Sequence, residues 1–197
     1  MYKIAIPSYN RADGITKKTL AFLSRYNYSK ELIYIFVNTE EQKQEYETKI
    51  PNELYGHIIS TNEPKGIMNV RNYIIDYFDE GAKLISMDDD VVSINTIDEG
   101  QLIPINNFNE VIEKGFQLCE DHKYTLWGLY PTANAFYMKS KDEYTTDLRF
   151  IVGGFMGIIN KKRHVHLDWK EDYELSIDSY IRDGGVIRFN HIAVKHN

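Results

Sequence analysis

Through its first ninety or so residues, the chain alternates short apolar runs with longer helix-prone segments, and this alternation constrains the fold more than any other feature. Residues 2–7, 33–38, 57–61 and 83–87 are β-branched or apolar runs of strand length. Between them, residues 16–26 carry Leu20, Phe22 and Leu23 at helical spacing, residues 40–50 are polar with high helix propensity, and residues 67–78 are amphipathic. Strands separated by helices require crossover connections. The expected class is therefore α/β, with a mainly parallel central sheet and helices on both faces, Rossmann-like in plan. The second half is less regular. A helix is expected over 107–121, strands over 127–138 and 150–159, a helix over 173–183 stopped by Gly184-Gly185, and a last strand over 186–194. Gly153, Gly154 and Gly157 fall inside one of these strands, which points to a bulge or to close approach of another group. No repeat, low-complexity tract or Gly/Ser linker interrupts the 197 residues, so a single domain over 1–197 is expected.

Charge and cysteine content narrow the functional classes. A net charge of −6 and a pI near 5.5 exclude a generic nucleic-acid coat and leave room only for a local basic patch. The best candidate for such a patch is Lys161-Lys162-Arg163-His164-Val165-His166. The lone Cys119 lies on the apolar side of its helix, reads as core and permits no internal disulfide, which fits a reducing, cytoplasmic setting. No apolar run approaches the ~20 residues of a membrane span.

The most informative string is Ser86-Met87-Asp88-Asp89-Asp90-Val91. Three carboxylates directly after an apolar strand stand at the C-terminal edge of a parallel sheet, where open α/β folds bind ligands. On extended backbone, residues i and i+2 point the same way, so Asp88 and Asp90 share one target while Asp89 faces elsewhere. Two convergent hard oxygens suit Mn²⁺ or Mg²⁺, which can bridge a diphosphate. Upstream, Gly66 permits a tight loop, and Arg71 with Asn72 sits near the first turn of a helix, offering cationic and amide donors to phosphate or a sugar hydroxyl.

Taken together, Ile4-Ala5-Ile6-Pro7-Ser8-Tyr9-Asn10-Arg11, the Gly66…Asn69-Val70-Arg71-Asn72 segment and Asp88-Asp89-Asp90 resemble the nucleotide-sugar half of GT-A glycosyltransferases of the family-2 type. Trp169-Lys170-Glu171-Asp172-Tyr173 resembles the family's ED motif. The resemblance implies a nucleotide-sugar half over about 1–95 and an acceptor half over about 96–197. It implies a metal-dependent glycosyltransferase that moves a sugar, most simply from a UDP-sugar, to an acceptor hydroxyl. Implied donor-binding residues are Pro7, Ser8, Tyr9, Asn10, Arg11, Asn38, Gly66, Arg71, Asn72, Asp88 and Asp89. Implied metal ligands are Asp90 and Asp88, completed by His196 or His191. Asp172 is implied as general base, with Glu171 orienting the acceptor; inversion or retention stays open. One departure is that Val37-Asn38-Thr39-Glu40-Glu41 stands where the family carries an aspartate-rich turn, which leaves base recognition open there.

A narrower resemblance, carried by Trp127-Gly128-Leu129-Tyr130-Pro131 and Phe150-Ile151-Val152-Gly153-Gly154-Phe155, is to small viral and phage GT-A enzymes. These include the TET/JBP-associated glycosyltransferases, which act on hydroxymethyl-pyrimidines in DNA. Acceptor contacts are then expected from Trp127, Tyr130, Gly153, Gly154 and Trp169, and the acceptor is either a glycan or glycoprotein or modified DNA. Two other readings stay open: a nucleotidyltransferase, which would carry a Gly-rich basic loop after the first strand, and a non-catalytic nucleotide- or carbohydrate-binding domain.

Overall fold

A computed structural model of the chain describes residues 1–196. The parallel half begins with β1 (Tyr2–Pro7), followed by α1 (Ala12–Ile15), a π-helical turn (Thr16–Leu20) and α2 (Ala21–Arg25) as one helical run. It continues through β2 (Ile33–Val37), α3 (Glu40–Lys49), β3 (His57–Ser60), α4 (Ile67–Tyr77) and β4 (Lys83–Met87). Then come β5 (Val91–Asp98), β6 (Gln101–Pro104), α5 (Phe108–His122), β7 (Leu126–Tyr130), β8 (Tyr144–Thr145), β9 (Phe155–Ile159), α6 (Glu171–Asp183) and β10 (Ile187–His196).

All strands join one sheet in the order β3-β2-β1-β4-β9-β7-β10-β5-β6, with β8 pairing beside β10. The first four strands pair in parallel, Ile4 opposite Ile33 and Ala5 opposite both Tyr34 and Ser86. The later strands mix the two senses: β9 runs antiparallel to β4 and β7, whereas β7 and β10 are parallel. The α/β class and the helices on both faces are as the sequence predicts. Period-2 alternation sorts the core: Ile4, Ile6, Ile35 and Ile85 face one side with Phe22 and Phe108, while Ala5, Phe36 and Leu84 face the other with Val70, Ile74 and Phe78 of and just after α4. Because both faces of these strands are covered, they read in sequence as nearly unbroken apolar runs.

Three segments differ from expectation. The strand expected over 127–138 ends at Tyr130, because Pro131 cannot donate to the ladder and the chain turns through Asn134. The strand expected over 150–159 begins only at Phe155. The β5–β6 hairpin was not anticipated; it turns through Glu99 and Gly100, both at positive φ (46° and 79°). Among the described residues no helix is long and apolar enough to cross a membrane.

Of the glycines expected to mark close approach, Gly157 does so against one ring, joined there by Gly115. Trp127 is fully buried between Phe116, Phe155 and Phe189. A Cβ on Gly157 would lie 1.9 Å from its Nε1, and a Cβ on Gly115 would lie 2.4 Å from its Cδ2. Gly157→Ala is therefore expected to destabilise the fold by about 1–3 kcal/mol, the usual range for overpacking. The check is a lower urea midpoint at unchanged slope, and an unchanged midpoint would contradict the packing described.

Candidate functional site

The C-terminal ends of β1, β2 and β4 open onto a cleft of about 610 Å³, the position at which open α/β sheets take ligands. Its floor is the acidic turn between β4 and β5. Asp88 N–H donates to Gly154 O at 3.0 Å. The hydroxyl of Thr19, buried in the π-helical turn, donates to Asp88 O at 2.8 Å and accepts from Val91 N–H at 3.0 Å. One side chain thereby ties both ends of the turn.

The turn alternates as expected. Asp89 points inward, is 6% exposed, and accepts from Ser8 Oγ at 2.6 Å and Arg11 Nη1 at 3.2 Å. Ser8 Oγ is 2.8 Å from the Tyr46 hydroxyl, which also accepts from Arg11 N–H, so the loop after β1 is locked to the acidic turn. Asp88 and Asp90 turn the other way, and their carboxylate oxygens lie with a ring nitrogen of His196 within 4.8 Å of one another. His196 Nδ1 is 2.8 Å from Asp90 Oδ1. Two carboxylates and an imidazole match the donor preferences of Mn²⁺, and these three residues could hold such an ion. Burial raises the Asp88 carboxyl above its ordinary range; Arg71 and His196 pull it down, and Asp90 and Asp89 push it up.

Arg71, on the face of α4 toward the cleft, joins this turn to the opposite wall. Its Nη2 donates to Gly153 O at 3.0 Å and lies 3.8 Å from Asp88 Oδ1, while its Nε lies 3.3 Å from Oε1 of the buried Glu171. Asp172 stands beside it at the start of α6, with Oδ2 accepting from Gly153 N–H at 3.0 Å and Oδ1 accepting from Tyr173 N–H at 2.9 Å. Gly153 and Gly154 must lack side chains. Cβ atoms there would come within 2.6 Å of Arg71 Nη2 and 2.5 Å of the His196 ring.

The cleft thus gathers Pro7, Ser8, Tyr9, Arg11, Asn38, Gly66, Arg71, Asp88, Asp89, Asp90, Gly153, Gly154, Glu171 and Asp172, with His196 joined through Asp90. Other expected residues lie elsewhere. Asn10, at φ 53°, turns away and accepts from Gln42 Nε2. Asn72 is spent clamping both backbone groups of Val165. His191 contacts Ser140 O at 2.7 Å instead of the acidic turn. Trp127 is core, excluded from any acceptor contact by its burial. Tyr130 donates to Tyr137 O under the Arg188 guanidinium, outside the cleft. Trp169 stands exposed outside the lining of the cleft, beside Glu171 and Asp172 in sequence.

The basic run expected as a patch is largely committed to internal partners. Lys162 Nζ donates to the carbonyls of Ile75, Asp76 and Phe78 at the end of α4. Arg163 pairs with Asp183 in bidentate fashion, His164 with Asp76, and His166 with Glu174. Sequence reasoning missed Thr19 and Tyr46, whose hydroxyls carry no local pattern, and Lys65 and Val152, which also line the cleft.

Comparison with known proteins bears on the family and the fold. A family model described as "TET-Associated Glycosyltransferase" matches residues 2–196. Three solved structures share the fold. TarS 1–349 of S. aureus with UDP-GlcNAc has TM-score 0.55 and 13% identity, covering 96% of this chain and 56% of that one. The mannosyltransferase PcManGT of Pyrobaculum calidifontis with GDP-Man and Mn²⁺ has TM-score 0.59 and 11% identity, covering 95% and 56%. Glucosyl-3-phosphoglycerate synthase of Mycobacterium tuberculosis with Mn²⁺, UDP-Glc and phosphoglyceric acid has TM-score 0.60 and 11% identity, covering 100% and 72%. Identities this low establish the fold alone, and the chain spans little more than half of the first two structures. None of the curated proteins matches the chain.

Thr19→Val removes the hydroxyl and keeps the shape. It should cost about 1–3 kcal/mol by leaving Asp88 O and Val91 N–H unpaired, and should speed hydrogen exchange at the Val91 amide. Thr19→Ser should restore most of both. Unchanged exchange at Val91 in Thr19→Val would mean that the hydroxyl does not hold the turn.

Proposed function

Because this chain belongs to the TET-associated glycosyltransferase family, we propose that it moves a sugar from a nucleotide-diphosphate sugar to the hydroxyl of a hydroxymethyl-pyrimidine in DNA, with Mn²⁺ or Mg²⁺ as cofactor. One observation carries the reading: Asp88, Asp90 and Asp172 line a single cleft, and His196 joins the first two in a cluster able to hold a divalent ion. Two of the three similar structures hold uridine-diphosphate sugars, which supports UDP-sugar as donor.

Asp88, Asp90 and His196 would hold the ion, which supplies positive charge to the departing diphosphate. The chain's own groups do the rest. The loop at Pro7–Ser8–Tyr9 and Asn38, which line the cleft, would flank the nucleoside, and Gly66 would let the backbone approach the donor. Arg71 keeps Glu171 and Asp88 in place. Asp172, fixed by two backbone amides, takes the proton from the acceptor hydroxyl as that oxygen bonds to the anomeric carbon. The bond from that carbon to the diphosphate oxygen breaks, and the nucleoside diphosphate leaves with the electron pair.

A second reading, transfer to a glycan, is favoured by the net charge of −6 and by the internal pairing of Lys162, Arg163, His164 and His166, which leaves little basic surface for a phosphate backbone. A nucleotidyltransferase is disfavoured. The loop after β1 has one arginine and one glycine, and that arginine is engaged by Asp89. The intact acidic turn with Glu171 and Asp172 speaks against a binding domain without turnover.

Two variants test the roles. Asp90→Ala should stay folded and lose the Mn²⁺-dependent part of its stabilisation by UDP, which at 100 times Kd is worth about 2.7 kcal/mol in a thermal shift. Unchanged metal dependence would remove Asp90 from the ligand set. Asp172→Asn should keep UDP and Mn²⁺ binding yet transfer sugar about 10²–10⁴-fold more slowly. Near-normal turnover would reduce Asp172 to a charge offsetting the helix dipole. Transfer to an oligosaccharide but never to hydroxymethylated DNA would establish the second reading.

A further inference from the structure

Next in sequence to the cleft residues Glu171 and Asp172, the chain exposes aromatic surface. Trp169 is 86% exposed, held out by Lys170, which adopts a left-handed conformation (φ 68°) just before α6. One turn on, Tyr173 is half-exposed, and its ring lies on that of Phe150 with centroids 4.0 Å apart and planes 19° from parallel. Glu171 and Asp172, which stand between these two aromatics in sequence, turn into the cleft. Two aromatics with exposed surface thus flank, in sequence, the pair Glu171-Asp172 that lines the cleft.

Charge limits what can lie there. Glu171, Asp172 and Glu174 fall in the first turn of α6, Glu171 beside Arg71 and Glu174 beside His166, so apart from Lys170 the spot offers a phosphate backbone no surplus positive charge, whereas a neutral, flat ring needs none. Of the basic run that could hold a backbone, Lys162, Arg163, His164 and His166 are engaged by internal partners. What remains is stacking, supplemented by Lys170, whose Nζ is 5.9 Å from the Tyr173 ring centre.

We propose that Trp169, with the Tyr173–Phe150 pair, is a stacking platform for an unpaired nucleobase, so that the acceptor is read as single-stranded or extruded DNA and not as intact duplex. This rests on the DNA reading above and deepens it. Stacking on a ring is available only to a base removed from its own stack. Recognition by π-faces also predicts weak dependence on salt, in contrast to a phosphate-tracking groove.

The fluorescence of the protein makes the test direct, because one of its two tryptophans, Trp127, is fully buried and the other is the proposed platform. The probes are a short single-stranded oligonucleotide containing 5-hydroxymethylcytosine, the same sequence as a duplex, and chitotetraose, each added to the full chain with UDP and Mn²⁺. The single strand should quench tryptophan emission and bind with little change between low and high salt. By anisotropy of a labelled single strand, Trp169→Ala should weaken binding about 5- to 150-fold, equivalent to the ~1–3 kcal/mol of one base–aromatic stack. Trp169→Phe should recover most of the affinity. The thermal shift by UDP and Mn²⁺ serves as the folding control. If the single strand binds and is glycosylated equally well with Trp169→Ala, or if the duplex binds as tightly as the single strand, the platform is overturned while the DNA reading stands. If neither form of DNA binds and chitotetraose quenches Trp169, the platform serves a sugar and both readings fail together.

Discussion

Arg71 brings one positive charge to a largely buried position beside the buried Glu171 and the partly exposed Asp88, and the carbonyl of Gly153 completes its coordination. Its partners lie on separate parts of the chain, one in the acidic turn after β4 and the other at the first residue of α6. A buried ion set of this kind is weak evidence for stability, because desolvation consumes much of the attraction, but removing one member leaves an uncompensated charge. Its value is positional. The parallel half supplies the acidic turn, the mixed half supplies the proposed base, and the guanidinium fixes their separation. Gly153 has to be glycine for the same reason, since the guanidinium occupies the space of its Cβ.

Around that hub the site is over-determined by hydroxyls. Thr19 closes the acidic turn from below, and Ser8 and Tyr46 fasten Asp89 to the loop after β1. The middle aspartate is therefore a structural anchor, which frees its two neighbours to converge. Three adjacent carboxylates repel one another, and the fold gives each a different partner: the Arg11 guanidinium at Asp89, the Arg71 guanidinium near Asp88 and the His196 imidazole at Asp90. The π-helical turn puts Thr19 where it is needed, in keeping with the frequent use of such turns near functional sites.

How much of this was legible in the sequence follows from what each segment packs against. The parallel strands were legible because both faces are covered, so Ile4-Ala5-Ile6 and Leu84-Ile85 appear as unbroken apolar runs. The acidic turn was legible from its place at a strand end. The β5–β6 hairpin was not, because Ser93, Asn95 and Thr96 interrupt the apolar pattern and the Glu99-Gly100 turn was passed over. Trp127 was misassigned because an indole gives the same signal in a core as at a surface; only Gly115 and Gly157, distant in sequence, reveal that space was cleared for it. Of the two late histidines, only the pairing of β10 with β5 beside the acidic turn singles out His196, and that pairing, with its register shift, leaves no mark in the sequence. The basic run 161–166 looked like a patch because its partners, Asp76, Glu174 and Asp183, come from α4 and α6.

The contact between Asp90 and His196 spans 106 positions of the chain. The parallel core β3-β2-β1-β4 closes much shorter loops, and closing a long loop costs entropy before any contact repays it. The consequence is that the cluster is not a local property of the acidic turn. It exists only where β10 lies between β7 and β5 and brings His196 to Asp90, so its occupancy reports on the completeness of the whole sheet and not on the half of the chain that carries the acidic turn.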